Sequence, residues 1–424
     1  MLTVALGAAA FAVLFRHTIA WVFAHGYGAH DVLTAFERLP WYARVLVPLF
    51  GAGLAGFLGA ISAKLKGGQG VGEVMEAVAL GKGRISLRLT LLKALGSWFA
   101  IVSGGSVGRE GPLIQFGGGL GGTLGRLFRL RERQIRALIA AGAGAGFAAA
   151  YNTPIAAVLF VLEVVTGVIA LDLVLPVIIA VPIATALTRL AIGGGPIYGQ
   201  LSFSMKSNAE LALYAGLGLL AGVTGPLFLL LLKRGEALFA KLEQRTARAA
   251  LGGAIVGTMA IVLPQITGNG YEAINLILSQ RLELSILIVI FFAKAVATTA
   301  SVSSGSPGGV FTPSLLLGAA LGGIVGHLVA RFGPESGAIA AYALVGMAAV
   351  VAATTHAPLM ATVLVFELSG DYAIVLPLLT ACAIATVLSR RVHRESIYTE
   401  ELRRRGSQWE VKVVAADSDV NRAP

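Results

Sequence analysis

Charge is what this sequence has least of. Asp, Glu, Lys and Arg make up 13% of its 424 residues, where a soluble domain carries roughly 25%. So few charges cannot clothe a chain of this length in water, which excludes an ordinary soluble protein. Cysteine is nearly absent. Cys382 stands alone, which excludes an intrachain disulfide, and a single thiol makes no metal site. The 6 histidines show no metal-ligand spacing, and no nucleophile–base pair stands out. A membrane enzyme using Glu110, Glu163 and His356 therefore has only acids in apolar segments to recommend it, and no cofactor or metal is expected. Acids are scarcer than bases, giving a formal net charge of +11. The cations gather between apolar tracts, as at Arg126, Arg129, Arg131 and Arg133, or Arg390, Arg391 and Arg394. They are not interleaved with aromatics on a polar face, so they read as cytoplasmic loop charge and lipid contact, not as a nucleic-acid surface.

What the chain does have is apolar length. Between Arg136 and Arg189 the only charged side chains are Glu163 and Asp172. A membrane crossing takes about 20 mainly apolar residues, so this stretch holds two or more. Similar tracts recur at 209–232, 250–266, 284–300, 314–330 and 373–389. The N-terminus is apolar from Met1 to Phe15 without a basic region before it, which reads as a membrane or re-entrant helix rather than a cleaved signal peptide. Glycine is abundant, at 54 residues. Small residues let membrane helices approach closely, and they permit broken helices whose ends line a cavity.

The breaks occur twice. Residues 103–108 read Ser-Gly-Gly-Ser-Val-Gly and residues 303–308 read Ser-Ser-Gly-Ser-Pro-Gly, matching at an offset of 200. A lone lysine precedes each, Lys93 and Lys294. Further on, Gly142 stands twelve residues before Pro154, and Gly346 twelve before Pro358. Each proline opens an apolar helix that reaches a glutamate nine residues later, Glu163 or Glu367; proline suits a first helical turn, where its missing N–H costs nothing. Three matches in the same order indicate an internal repeat, roughly 40–192 and 209–390. Repeats of this kind place a transport site between interrupted helices near the bilayer midplane.

Each glycine-rich break precedes a segment able to form a helix. The first N–H groups of a helix lack internal acceptors and attract anions. Two such ends facing one another make an anion site without a full positive charge, which lets an ion bind and still leave. Glu110 follows the first break, where its carboxylate can occupy an anion position. Position alone leaves two readings: a gate, or an acid that stabilises its own helix. Arg109 raises the local positive potential or pairs with an acid. Glu163 and Glu367 are read as structural, hydrogen-bonding to loop backbone. A carrier of phosphate or carboxylate substrates would share helix-end binding but need a wider cavity, and a purely structural membrane protein would not need the paired breaks.

Gly108-Arg109-Glu110-Gly111-Pro112 and Gly309-Val310-Phe311-Thr312-Pro313, with Ser396-Ile397-Tyr398 near the end, resemble the motifs of the CLC family of chloride channels and chloride/proton antiporters. The resemblance spans nearly the whole chain. The His393–Tyr398 and Ala353–Pro358 segments look most like its bacterial ClcB-type branch. It implies an all-α polytopic membrane protein, an inverted repeat with many tilted, re-entrant and broken helices over residues 1–390. A short cytoplasmic tail would follow at 391–424, without the family's CBS domains. It implies a homodimer in the bacterial inner membrane with both termini cytoplasmic, bound chloride ions, and a separate ion path in each subunit. Glu110 would be the gate. The amides of Val310 and Phe311 and the Tyr398 hydroxyl would hold the central anion. Amides around Arg109 and Gly111 would serve the position that the gate vacates.

Two departures bear on mechanism. The family's Gly-Ser-Gly-Ile-Pro-Glu segment is matched by Gly68-Gln69-Gly70-Val71-Gly72-Glu73, so Gln69 replaces the anion-contacting serine beside Gly70. That leaves the choice among chloride, nitrate, bromide and fluoride open. Many exchangers carry a proton-handling glutamate just after the acid matching Glu163, and here that position is Val164. Val164 favours passive, voltage-gated-type chloride conduction, with chloride/proton exchange as the alternative.

Overall fold

Helices, most of them apolar, account for most of the described residues. The structure is a computed structural model and describes residues 1–65, 70–79, 81, 84–167, 171–195, 197–199, 209–332 and 339–404. In chain order the helices of the first part are α1 (Leu2–Gly26), α2 (Val32–Arg38), α3 (Trp41–Lys64), α4 (Gly70–Ala79), α5 (Leu87–Val102), α6 (Glu110–Leu127), α7 (Glu132–Tyr151), α8 (Pro154–Phe160) and α9 (Leu171–Ile192). Those of the second are α10 (Glu210–Phe239), α11 (Arg245–Val262), α12 (Tyr271–Leu278), α13 (Leu284–Ser303), α14 (Phe311–Phe332), α15 (Ile339–Thr355), α16 (Pro358–Ser369), α17 (Val375–Val392) and α18 (Ile397–Arg404). Among the described residues, 7 helical stretches are long and apolar enough to cross a membrane.

The centre is built from the smallest residues. α7 and α15, rich in Ala and Gly, are buried over almost their whole length, as expected of helices that are apolar all round. α6 lies along α7 and α14 along α15. The approach is close enough that a Cβ on Gly121 of α6 would sit 2.1 Å from the Leu138 carbonyl, and one on Gly322 of α14 would sit 1.9 Å from that of Tyr342. Dispersion between closely packed backbones is the main attraction available to helices in lipid. The periphery is apolar in the opposite sense. Leu14, Phe50, Leu190, Val262 and Phe292 are all exposed on outward faces, which suits hydrocarbon and not water.

The two breaks have one geometry. α5 ends and the chain turns through Gly104 at φ +84° before α6; α13 ends and it turns through Gly305 at φ +95° before α14. Left-handed backbone is cheap only for glycine, which explains why both positions are glycine. The structure therefore pairs the breaks 201 positions apart, one more than the letter match indicates. This register also aligns Lys93 with Lys294, Pro112 with Pro313, and the two helix starts. Identity of letters was the weaker guide because Gly105 and Gly305 play different backbone roles.

A second matched pair lies at the proline helices. Asn152 caps α7 and His356 follows α15, both left-handed at φ +58° and +59°. Two residues after each, a proline opens the next helix. Glu163 accepts hydrogen bonds from Leu359 N at 3.2 Å and Met360 N at 2.7 Å, at the start of α16. Glu367 accepts from Ile155 N at 3.0 Å and Ala156 N at 2.8 Å, at the start of α8. Each glutamate thus satisfies the free N–H groups of the other's helix.

Candidate functional site

The two breaks meet. Gly108 N donates to Gly309 O at 2.7 Å, and Gly309 N donates to Gly108 O at 3.0 Å, a short antiparallel bridge between the chain just before α6 and just before α14. Ser106 anchors the first break to α13, its N–H donating to Ser301 Oγ at 3.0 Å and its hydroxyl lying 2.9 Å from Thr298 Oγ1. Lys294 anchors the neighbouring loop. It is fully buried, and its ammonium donates to the carbonyls of Ile266 and Gly268 at 2.9 Å each, while Gly268 N donates to Gly104 O. Lys93, in the matching position, instead pairs with Glu73 at 3.8 Å, and Gln115 donates to the same carboxylate.

This framework aims Glu110 across the bridge. Glu110 is the first residue of α6 and is only 2% exposed. Its carboxylate reaches across to the N-terminus of α14. Phe311 N donates to Oε1 at 3.2 Å, Thr312 N approaches the same oxygen at 3.5 Å, and Thr312 Oγ1 donates to Oε2 at 2.8 Å. Tyr151, the last residue of α7, lies with its hydroxyl 2.8 Å from Thr312 Oγ1. The threonine has one proton and gives it to the carboxylate, so Tyr151 is the donor in that pair. The position is an anion site by construction: oriented N–H groups at a helix start, the positive end of the helix dipole, and no water-exposed side.

The sequence-derived site residues divide accordingly. Glu110 and Phe311 are in direct contact. Val310 precedes them in the same turn, and its carbonyl accepts from Ser314 N and Ser314 Oγ; the second amide at the carboxylate belongs to Thr312. Gly111 is buried in the first turn of α6, where an added Cβ would meet nothing within 4 Å. Arg109 does not reach the carboxylate; its guanidinium lies over the Tyr271 ring, 5.0 Å from the centroid. That is the geometry of a cation–π contact.

Residues 393–404 pack back into the protein. α18 lies against α4, and Tyr398 is 7% exposed. Its ring meets Phe160 edge-on at 6.4 Å; Phe160 stacks on Phe147 at 4.6 Å, and Phe147 meets Phe311 edge-on at 5.8 Å. A file of aromatic rings thus joins Tyr398 to the start of α14. Val164 is buried in a π-helical stretch, Val161–Thr166, that continues α8. Gly70 opens α4 with φ +50°. Gln69, with Gly68, lies outside the described residues, as do residues 405–424 of the expected tail.

Sequence reasoning missed Thr312, Tyr151, Gly108 and Gly309. Thr312 occupies the variable position of the Gly-x-Phe-x-Pro motif, and a hydroxyl there was the available signal. Tyr151 carried none, because its role depends on where α7 ends.

The comparisons with known proteins agree with this architecture. Residues 50–390 match the family model described as voltage gated chloride channel. The chain is 40% identical to a ClcB-like chloride channel protein of Ralstonia nicotianae, over 89% of this chain and 90% of that one. It is 36% identical to the voltage-gated ClC-type chloride channel ClcB of Escherichia coli, over 92% and 95%. Among solved structures, it superposes on a slow cyanobacterial Cl−/H+ antiporter with a TM-score of 0.86 at 27% identity, covering 95% of this chain and 96% of that one. A eukaryotic CLC transporter shares the fold, with a TM-score of 0.75 at 22% identity over 95% of this chain and 72% of the other. This chain belongs to the voltage-gated chloride channel family, the CLC family. It is a multi-pass membrane protein of chloride transport and not an enzyme.

Proposed function

We propose that the protein carries chloride passively across a bacterial inner membrane through a path that Glu110 gates. The observation that carries this reading is the Glu110 carboxylate on the Phe311 and Thr312 amides. A side-chain anion holds the helix-end donors that a chloride ion would use, so the two compete for one place. Protonation or displacement of Glu110 frees the amides and opens the path. On this reading Val310 and Phe311 present the central anion site and Tyr398 bounds it through its hydroxyl. The Arg109 and Gly111 backbone serves the outer position, Gly70 at the start of α4 contributes to anion binding, and Gln69 takes the place in the sequence of the family's anion-contacting serine. Val164 offers no proton-accepting group beside Glu163, which supports conduction over exchange.

The second reading is chloride/proton exchange. It is favoured by the TM-score of 0.86 with a structure described as a Cl−/H+ antiporter, and on that reading protons pass Val164 by water. The repeat halves at 40–192 and 209–390, both termini in the cytoplasm and a homodimer belong to the same proposal. The contiguous outward face of α8, α9, α16 and α17 supports the dimer, since it exposes Ile155, Ile179, Leu359 and Leu376.

Proteoliposomes test the reading. Chloride efflux and internal pH are recorded together under an imposed chloride gradient, with the membrane voltage clamped. Passive conduction moves chloride with no coupled proton; uphill proton movement establishes exchange instead. Glu110→Gln is expected to raise or deregulate anion flux and to abolish any coupling. Unchanged flux and coupling in the folded variant would remove Glu110 from the gate.

A further inference from the structure

The seat that receives Glu110 contains more than helix-end amides. A Cβ built on Gly108 would fall 2.3 Å from both carboxylate oxygens, and one on Gly309 would fall 2.1 Å from Oε1. For each of these glycines the three nearest atoms are all from Glu110. The bridged glycines therefore form two walls fitted to a carboxylate, with the amides of α14 beside it. The remaining contact is the hydroxyl pair. Thr312 and Tyr151 are both fully or almost fully buried, at 0% and 2% exposure. They come from α14 and α7: Tyr151 donates to Thr312, and Thr312 donates to Oε2.

We propose that the Tyr151 and Thr312 hydroxyls are a latch for the gate, holding the Glu110 carboxylate in its seat and raising the chloride concentration needed to displace it. The proposal rests on the gate reading above. Its basis is the division of labour between the two oxygens. Oε1 takes the amides and Oε2 takes the hydroxyl. A monatomic anion replacing Oε1 at the amides has no second atom for the place of Oε2. The hydroxyl contact therefore favours the carboxylate over the cargo, and only such a difference shifts the balance between two occupants. The hydroxyl–carboxylate bond is charge-assisted and short, so it belongs to the stronger class of hydrogen bonds. Tyr151 acts one step back: by donating to Thr312 it fixes the rotor so that the threonine proton points at Oε2, and it polarises that proton. When Glu110 is protonated the bond loses its charge assistance and the latch loosens.

A merely structural reading exists, in which the Tyr151–Thr312 contact only ties α7 to α14. Purified full-length protein in detergent separates the two, with chloride binding measured calorimetrically and chloride efflux measured in proteoliposomes. The variants are Thr312→Val, Thr312→Ser and Tyr151→Phe, each made in the natural chain and in Glu110→Ala. Loss of one charge-assisted bond corresponds to a factor on the order of ten or more. Thr312→Val is thus expected to tighten apparent chloride binding about ten-fold and to raise efflux at low chloride. Thr312→Ser should restore the original affinity, and Tyr151→Phe should shift it in the same direction by less. In Glu110→Ala, where no carboxylate remains to hold, Thr312→Val should leave affinity within about two-fold, a non-additivity typical of contacting residues. A weakening of chloride binding by Thr312→Val in both backgrounds would make Thr312 a direct chloride ligand and overturn the latch. An equal tightening in both would overturn it too, since no carboxylate is left to release in Glu110→Ala. A loss of stability with unchanged affinity would make the pair structural. If Glu110→Ala itself changes neither affinity nor efflux, the gate reading fails first; if it changes both while Thr312→Val is silent, only the latch fails.

Discussion

Removing the Glu163 carboxylate tests how the two parts of the chain are held together. In Glu163→Ala the Leu359 and Met360 amides lose their acceptor at the start of α16. Hydrogen bonds to an ionised partner are worth about 1.5–3 kcal/mol each, and loss of a helix cap costs about 0.5–2 kcal/mol. Glu163 is only partly buried, so water recovers some of that, and an overall cost of about 2–4 kcal/mol follows. Glu163→Gln keeps one carbonyl acceptor and should cost about half as much. Glu367→Ala, which frees Ile155 and Ala156 N–H, should match Glu163→Ala, because the two caps have the same geometry. Equilibrium unfolding by SDS titration in mixed micelles gives the stabilities, and proteoliposome efflux gives the function. Stabilities within about 0.5 kcal/mol of the natural chain, the range of an ordinary surface change, would refute the reciprocal cap. So would a Glu163→Gln variant of unchanged stability that loses proton coupling, which would place Glu163 in the transport path.

Two further outcomes follow from buried polar groups. Lys294→Met leaves the Ile266 and Gly268 carbonyls without their donor; at about 1–3 kcal/mol per stranded group, the variant should lose about 2–6 kcal/mol in the same unfolding assay, and an unchanged midpoint would count against the anchor. Tyr398→Phe keeps the ring that meets Phe160 and removes only the hydroxyl, so chloride affinity by calorimetry should fall with stability intact. An unchanged isotherm would release Tyr398 from the central site.

How much of this was legible in the letters depended on what each feature requires. The breaks were legible because a turn through left-handed backbone demands glycine, and an anion seat demands a helix start immediately after it; both demands leave marks at Gly104–Glu110 and Gly305–Phe311. The register was not, because glycines that turn the chain and glycines that merely pack look alike on paper. Glu163 and Glu367 were legible as backbone partners from their burial among apolar residues. Their exchange between α8 and α16 was not, since nothing in a nine-residue interval says which helix start lies within reach. Tyr151 shows the same limit more sharply. Its ring belongs to a buried helix end, and only the meeting of α7 with α14 turns its hydroxyl into part of the site. Thr312 stood in plain view inside a motif, but the motif marks Phe311 and Pro313 for backbone reasons and is indifferent to the residue between them.

The chemistry of the seat explains why the nearby cations point elsewhere. Lys294 is spent on two carbonyls, Lys93 on Glu73, and Arg109 on the Tyr271 face. The donors that reach the Glu110 carboxylate from α14 are two amides and a hydroxyl, all neutral. A guanidinium in the same place would grip a carboxylate through two parallel charge-assisted bonds, and the gate would then outcompete any monatomic anion by geometry alone. An ammonium would hold both occupants too firmly for either to leave, whereas a conducting site must bind an ion and still release it. Neutral, oriented donors reduce the hold on gate and cargo together and keep them close in free energy. Small contacts such as the Thr312 hydroxyl can then decide between them. On this view the backbone bridge of Gly108 and Gly309 matters as much as the glutamate: it brings two helix starts together without bringing a charge, and what lets chloride leave is also what lets Glu110 leave.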